Sequence, residues 1–155
     1  MRVTIAAVGR LRSGPEKALI DDYLTRFERT GRALGLGPAQ LLEVEDKKGG
    51  GMPAEAQLLA KAIPAGNVLI TLDERGEVLS SPDFAQRLAG YRDSARDVTF
   101  VIGGADGIDP SLRAQAQMSI SFGKMVWPHM LVRVMLTEQL YRAAAILAGT
   151  PYHRV

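Results

Sequence analysis

Three residues at the end of the chain, Tyr152, His153 and Arg154, combine side chains that can stack, titrate and bind phosphate. They follow directly after Gly149, which ends the preceding predicted helix. The imidazole of histidine changes its charge near neutral pH, so His153 is a candidate general base. Because most chain ends fray, a functional role requires this tail to be docked, for example against a neighbouring subunit.

A carboxylate lies on the helix that precedes the tail. Glu138 falls on an otherwise apolar stripe of that predicted helix, where burial of the charge is costly unless it is paired. Arg142 follows one turn later and could form an ordinary helix ion pair with Glu138, worth ~0.3–0.5 kcal/mol when exposed. The alternative places Glu138 at an interface or at the edge of an active site, and the sequence leaves both interpretations open.

Unusual sequence follows three of the predicted strands, at residues 72–76, 102–107 and 122–129. In open α/β sheets, ligands bind at the carboxyl ends of strands. Gly103 and Gly104 could let a ligand approach the backbone closely, or could simply form a tight turn between strand and helix. Their spacing matches neither G-x-G-x-x-G nor a P-loop, so a dinucleotide or a triphosphate is poorly supported.

The segment 122–129 shows neither helical nor strand periodicity and is rich in apolar residues. It could line an apolar pocket whose polar contacts come from backbone N–H and C=O groups. Trp127 could stack on a nucleotide base, although a lone tryptophan is more often a core residue. His129 could belong to the same site or could merely cap the helix that follows.

The composition limits the chemistry that the chain can carry out. It contains no cysteine and only two histidines, which excludes disulfides, thiolate catalysis and Cys-ligated zinc, and we expect no metal site. The net charge is +2, yet residues 1–37 hold seven Arg and Lys against four acids. Lys47 and Lys48 lie in a Gly-rich loop from which side chains can reach a phosphate backbone. A solvated surface explains these charges equally well.

No apolar run is long enough to cross a bilayer, and the first residues lack the apolar core of a signal peptide. We therefore expect a cytoplasmic protein with no membrane partner.

Strand and helix patterns alternate along the chain. Short β-branched or apolar runs predict strands at 3–8, 40–44, 68–72, 98–102 and 118–122. Helical spacing and cap residues predict five helices. The first starts at Ser13-Gly14-Pro15-Glu16 and ends near Arg29, the second runs from Pro53 to about Ile63, and the third has its cap and first turn at Ser81-Pro82-Asp83 and leads to about Tyr91. The fourth follows Asp109-Pro110, and the last runs from about Met130 to Ala148. This alternation predicts a single α/β domain over residues 1–155, with a mainly parallel sheet and helices on both of its faces.

A set of short motifs supports a more specific interpretation. They are Ala7-Val8-Gly9, Thr71-Leu72-Asp73 with Gly76, Arg96-Asp97-Val98, Ile102-Gly103-Gly104 with Asp106-Gly107, Pro128-His129, Leu131-Val132-Arg133-Val134, Glu138 to Ala143, and Pro151-Tyr152-His153-Arg154. In this order and at these spacings, nearly the whole chain resembles the small SPOUT methyltransferases that methylate N3 of a pseudouridine in 23S ribosomal RNA.

This resemblance implies a homodimer, a C-terminal trefoil knot, and S-adenosylmethionine bound in the knotted loops. The family tail, which matches Tyr152, His153 and Arg154, reaches the active site at the dimer interface. The substrate it implies is 23S ribosomal RNA within an assembled ribosomal particle. The positions that match the family's cofactor contacts are Leu72, Gly103, Phe122, Gly123, Lys124, Met125, Val126 and Trp127.

The implied reaction is an in-line methyl transfer to the imide nitrogen of the base. A sulfonium donor is already electrophilic, so positioning of the nitrogen is the main requirement and no metal is needed. We expect His153 to take the imide proton, with Glu138 as the second candidate base. Arg154 would bind phosphate or the developing charge, and Tyr152 would stack on or orient the base.

Two other functions remain open from the sequence. One is a non-catalytic RNA-binding module that uses the basic N-terminal half and the tail. The other is a nucleotide-cofactor enzyme, which would need the glycine fingerprint that this chain lacks.

Overall fold

The computed structural model describes residues 1–154. Its centre is a five-stranded sheet in the order β2-β1-β4-β3-β5, and every neighbouring pair is parallel. The predicted parallel α/β sheet is therefore confirmed. The strands are β1 (Val3–Val8), β2 (Ala39–Val44), β3 (Val68–Val78), β4 (Val98–Ile102) and β5 (Met118–Ser121).

Helices connect the strands and lie close to their predicted positions. The long last helix begins at His129, one residue earlier than predicted, and Gly149 ends it in the left-handed conformation. The second helix begins at Gly51 instead of Pro53. The helices are α1 (Pro15–Gly31, followed by a 3-10 turn at Arg32–Leu34), α2 (Gly51–Ala62), α3 (Ser81–Asp93), α4 (Pro110–Arg113) and α5 (His129–Ala148).

Side chains from both faces of the sheet are buried under helices. On one face, Ile5 and Phe100 pack with residues of α1, α3 and α5, among them Phe27 and Leu140. On the other face, a smaller cluster joins alternate strand residues to α2 and α4. This two-sided burial explains why β1 and β4 lack polar alternation, since neither face of a central parallel strand meets water.

Strand β3 extends beyond the Leu72 end that its apolar run predicts. Leu72 and Glu77 both pair with Ile120 of β5, so residues 73–76 form an outward bulge and the strand then resumes. The bulge is held by Asp73, whose carboxylate accepts from Arg75 Nε at 2.9 Å and from Arg113 Nη1 at 3.1 Å. The apolar pattern does not predict this part of β3, because residues 73–77 are mostly charged. The trefoil knot stays a prediction from the family resemblance.

A buried cation fastens the start of α5 to the end of β1. The Arg133 side chain is 1% exposed and donates from Nη2 to the carbonyl oxygens of Val8 and Gly9, at 2.5 and 2.8 Å. Its Nη1 donates to Glu43 of β2 at 3.0 Å. Burial lowers the pKa of Arg133, and the Glu43 carboxylate opposes that shift. One side chain thus joins three elements at the carboxyl edge of the sheet.

Replacement of Arg133 by methionine should lower the free energy of unfolding by about 3–5 kcal/mol, because it leaves Glu43 and two carbonyls without their partner. Chemical denaturation measures this change. Arg26→Met is the matched control, because its ion pair with Asp22 lies in solvent and should contribute little. Equal losses in the two variants would contradict a structural role for the buried cation.

Candidate active site

A cavity of about 280 Å³ opens at the carboxyl edge of the sheet, where β4 and β5 end and β3 bulges outward after Leu72. It is lined by seven of the eight residues that the family resemblance implies for the cofactor, namely Leu72, Gly103, Phe122, Gly123, Met125, Val126 and Trp127. The eighth, Lys124, is exposed and does not line the cavity. Asp73, His129 and Val132 complete part of the wall.

The chain itself requires a glycine at position 103 and leaves little room for a side chain at position 104. A Cβ on Gly103 would collide with the carbonyl of Gly107, and one on Gly104 would lie 3.0 Å from Glu55 Oε2. The Gly107 N–H donates to the Gly104 carbonyl at 3.0 Å and closes the turn. Of the two interpretations that the sequence left open, the tight turn therefore accounts for these glycines.

Gly123 has a different environment, with open space where its Cβ would be and a φ of 111°. A ligand can therefore approach the backbone here without meeting a side chain. Ser121 Oγ holds this loop by accepting from the Gly123 N–H at 3.1 Å and donating to its carbonyl at 3.0 Å. The backbone at Gly123 and the apolar wall around it fit a ligand with an apolar body and polar ends, such as S-adenosylmethionine.

A second cavity of about 250 Å³ adjoins the first. The two share Leu72, Ile120, Phe122 and Gly123, and the second continues toward Ser81 and Gln139. The Ser81 hydroxyl donates to the Gln139 side-chain carbonyl at 2.7 Å. The two cavities together form a groove that runs past the start of the 122–128 loop.

The 122–128 loop exposes a large apolar surface. Met125 and Val126 are 74% and 80% exposed, and Trp127 is 41% exposed. Trp127 is therefore not a core residue, although a lone tryptophan usually is. Its indole N–H donates to the Phe122 carbonyl at 3.3 Å. Met130 and Leu131 extend this surface onto the first turn of α5. Contiguous exposed apolar residues of this kind mark interaction sites.

The tail is docked against the second half of α5 through one carboxylate. Glu138 Oε1 accepts from Arg142 Nε at 2.9 Å and Nη2 at 2.5 Å, and from the Tyr152 hydroxyl at 3.0 Å. Its other oxygen, Oε2, accepts from Gln139 Nε2 at 3.0 Å. The helix pair with Arg142 thus forms, and the same carboxylate also orients the tail.

Aromatic contacts hold the tail from the other side. The Tyr152 ring lies 4.5 Å from the Tyr141 ring, between centroids, and the Arg142 guanidinium lies 4.8 Å from the Tyr152 centroid. Burial and the hydrogen bond to Glu138 raise the pKa of Tyr152. Its phenol therefore stays protonated near neutral pH and can orient a partner but not accept a proton.

Arg142 also contacts His153. Its Nη1 lies 3.2 Å from His153 Nδ1. Because guanidinium can only donate, Nδ1 is the acceptor, and the proton of the neutral ring lies on Nε2. In this arrangement His153 can donate a hydrogen bond through Nε2. Its Nδ1 lone pair becomes available to another group only after the contact with Arg142 opens.

Within one chain, the tail does not reach the cavity. Tyr152, His153 and Arg154 line neither cavity, whereas His129 and Val132 at the start of α5 line the first. From His129 to Arg142, α5 advances about 20 Å, at roughly 1.5 Å per residue. The cavity and the tail thus lie at separate levels of one helix.

His129 begins α5 and lines the cavity. The sequence left open whether it belongs to the site or only caps the helix. Its Nδ1 is buried without a hydrogen-bond partner among the described residues. Burial, and then the charge of Arg133, lower the pKa of His129, so its ring stays neutral near neutral pH. Within residues 1–154, no three His, Asp or Glu side chains gather in a group able to hold a metal ion.

Comparison with known proteins agrees with this geometry. Residues 1–153 match the family described as "Predicted SPOUT methyltransferase". The chain belongs to the SPOUT methyltransferase family. Its relatives include the ribosomal RNA large subunit methyltransferase H of Ruegeria pomeroyi, 78% identical with 100% of both chains covered. The protein of that name from Roseobacter denitrificans is 72% identical, with 99% of both chains covered.

A probable methylase family protein from Haemophilus influenzae Rd KW20 shares the fold of this chain. The two superpose with a TM-score of 0.55 over 99% of this chain and 70% of that one, at 12% identity. The family membership confirms the predicted enzyme class: this chain is a methyltransferase that uses S-adenosylmethionine. Among residues 1–154, no helix is both long enough and apolar enough to span a membrane.

The turn at Gly103 gives a direct test of the site's architecture. Gly103→Ala should destabilise the fold by about 1–3 kcal/mol, because the added methyl group overlaps the Gly107 carbonyl. Thermal unfolding measures the effect. Gly90→Ala is the matched control in α3, where nothing lies near the added carbon, and it should stabilise the protein slightly. A neutral Gly103→Ala would contradict the packed turn.

Proposed function

We propose that this methyltransferase methylates N3 of a pseudouridine in 23S ribosomal RNA, within an assembled ribosomal particle in the cytoplasm. We further propose that residues 1–155 form one SPOUT domain that works as a homodimer. Relatives of matching length are named for the large-subunit ribosomal RNA. We call the first cavity the donor cavity, because we propose that it holds the methyl donor. The observation that carries the proposal is the separation of this cavity from the tail along α5, which a second copy of the chain would bridge.

The exposed apolar residues of the cavity loop and α5 support the homodimer. Met125, Val126, Trp127, Met130 and Leu131 form a surface at the mouth of the cavity. In a two-fold dimer, the same surface of each copy faces the other. Such a contact would cover these residues and would bring the partner's tail toward the cavity.

We assign the donor contacts to Leu72, Gly103 and the run from Phe122 to Trp127. Gly123 would contact the donor through its backbone, and Phe122 would contact it through its apolar side chain. The side chain of Lys124 is exposed, so Lys124 would contact the donor through its backbone. When bound, S-adenosylmethionine supplies an electrophilic methyl group. The protein's part is to hold the imide nitrogen in line with that group and to exclude water.

The tail would supply the polar groups for the target base. Removal of the imide proton leaves negative charge on the two flanking carbonyl oxygens, which Arg154 would stabilise. Tyr152 would orient the base, with its hydroxyl held by Glu138. Glu138 already accepts four hydrogen bonds. We therefore assign it the role of positioning the tail, in preference to the alternative role of general base.

His153 is the proposed base, and its contact with Arg142 sets a condition on that role. The Arg142 guanidinium occupies the Nδ1 lone pair, so the ring must release it to accept the imide proton. Docking of the tail into a neighbouring subunit would provide that release. Glu138 would retain Arg142 through its two hydrogen bonds while the ring turns away.

A transfer assay with tritiated S-adenosylmethionine and purified ribosomes tests the proposal. His153→Ala and Arg154→Ala should each lower turnover by about 100-fold or more, as loss of a general base or a charge-stabilising group does. Affinity for the methyl donor, measured by calorimetry, should stay nearly unchanged. Equal loss of donor binding would contradict the assigned roles, and RNA binding without transfer by the wild type would favour the RNA-binding module.

A further inference from the structure

Two basic loops meet at the carboxyl edge of the sheet, on the side away from β5. Arg10 and Arg12 lie in the loop after β1, and Lys47 and Lys48 lie in the loop after β2. These strands are parallel neighbours with ends at the same level, since Val8 pairs with Val44. The fold therefore gathers four cations from distant parts of the sequence, which we call the basic edge.

Hydrogen bonds fix both loops of the basic edge. The Gly9 N–H donates to the Val44 carbonyl at 2.8 Å, and the Leu11 N–H donates to Glu43 Oε2 at 2.7 Å. The second loop is a compact turn in which the Asp46 carboxylate accepts from the backbone N–H of Lys48 at 3.2 Å and of Gly50 at 2.5 Å. The backbone that carries the cations is thus positioned before any partner arrives.

Most of the charge on the basic edge is available to a partner. Arg10 makes a 3.6 Å contact with Glu45 and is about half exposed. Among residues 1–154, Arg12, Lys47 and Lys48 are exposed and form no ion pair. The four cations exceed the two acids of the same loops, Glu45 and Asp46, and exposed cations on fixed loops are the arrangement that binds a phosphate backbone.

The basic edge adjoins the donor cavity through α5. Arg133 donates to the Gly9 carbonyl, and His129, which lines the cavity, lies next to Gly9. The cavity wall itself carries Asp73, Glu74 and Asp106 together with Arg75, and the Asp73 carboxylate is already paired with Arg75 and Arg113. A polyanion is therefore attracted to the exposed cations on the β1–β2 side of the cavity.

We propose that the basic edge binds phosphates of the substrate RNA next to the target nucleotide and so sets the direction from which the strand enters the cavity. This inference rests on the proposed function, because it takes ribosomal RNA as the polyanion. Other basic residues do not share the location. Arg29 and Arg32 lie at the end of α1 and in the turn after it, beyond the opposite edge of the sheet.

The test compares two double variants that remove the same charge. Lys47→Ala/Lys48→Ala removes half of the basic edge, and Arg29→Ala/Arg32→Ala removes two exposed arginines at the other end. Binding to purified large ribosomal subunits and to protein-free 23S ribosomal RNA is measured by filter retention across a salt series. Calorimetry with S-adenosylmethionine monitors the donor site in each variant.

The lysine variant should bind both probes on the order of tenfold more weakly, with the slope of log affinity against log salt reduced by about 1–2. The arginine variant should bind like the wild type, and donor affinity should not change. Equal weakening in both variants, or none in the lysine variant, would overturn the basic edge. Weakening with subunits alone would also overturn it, because the contact would then be to ribosomal protein.

The two proposals fail in distinguishable ways. If the wild type transfers no methyl group to ribosomal RNA, the proposed function fails whatever the variants bind. If the wild type transfers methyl groups and the lysine variant keeps its affinity and salt slope, only the basic edge fails.

Discussion

Helix α5 carries both halves of the candidate active site and keeps them apart. Its first turn lines the proposed donor cavity, and its second half holds the tail through Glu138 and Arg142. A helix is rigid and rises by only about 1.5 Å per residue, so a tail folded back on Glu138 cannot also reach the first turn of the same helix. The proposed dimer follows from this constraint, because a second copy can supply what the first cannot.

The rest of the fold keeps α5 in place. Arg133 joins its second turn to β1 and β2, and apolar residues farther along pack with α1 and α3. The buried guanidinium is costly to desolvate, and its three hydrogen bonds to Val8, Gly9 and Glu43 offset that cost only as a set. The cavity, the basic edge and the start of α5 therefore form one structural unit.

Much of this arrangement could be predicted from the sequence. Runs such as Val98–Ile102 signal strands buried on both faces, and cap residues place the helices within two residues of their observed ends. Seven of the eight donor residues that the family resemblance implies line one cavity, in agreement with the expectation that ligands bind at the carboxyl ends of the strands. The apolar run predicts that β3 ends at Leu72, but the strand continues to Val78. A polar bulge interrupts its pairing with β5, and the pairing then resumes.

Other features depend on tertiary contacts that periodicity does not encode. The carbonyl that excludes a side chain at Gly103 comes from a turn closed four residues later. The interaction of Arg142 with His153 requires the tail to fold back, and it changes which ring nitrogen is free. Trp127 looks like a core residue by type but lies exposed at the cavity mouth, where a partner could cover it.

Subunit complementation tests the shared site most directly. Gly123→Leu would fill the cavity, whereas His153→Ala/Arg154→Ala would disable the tail, so each homodimer should be inactive. After mixing and re-equilibration, two-fold assembly predicts about one quarter of wild-type activity per site, from mixed dimers that pair an intact cavity with the partner's intact tail. Mixed dimers that form but transfer no methyl group would show that each protomer uses its own tail, and would contradict this account.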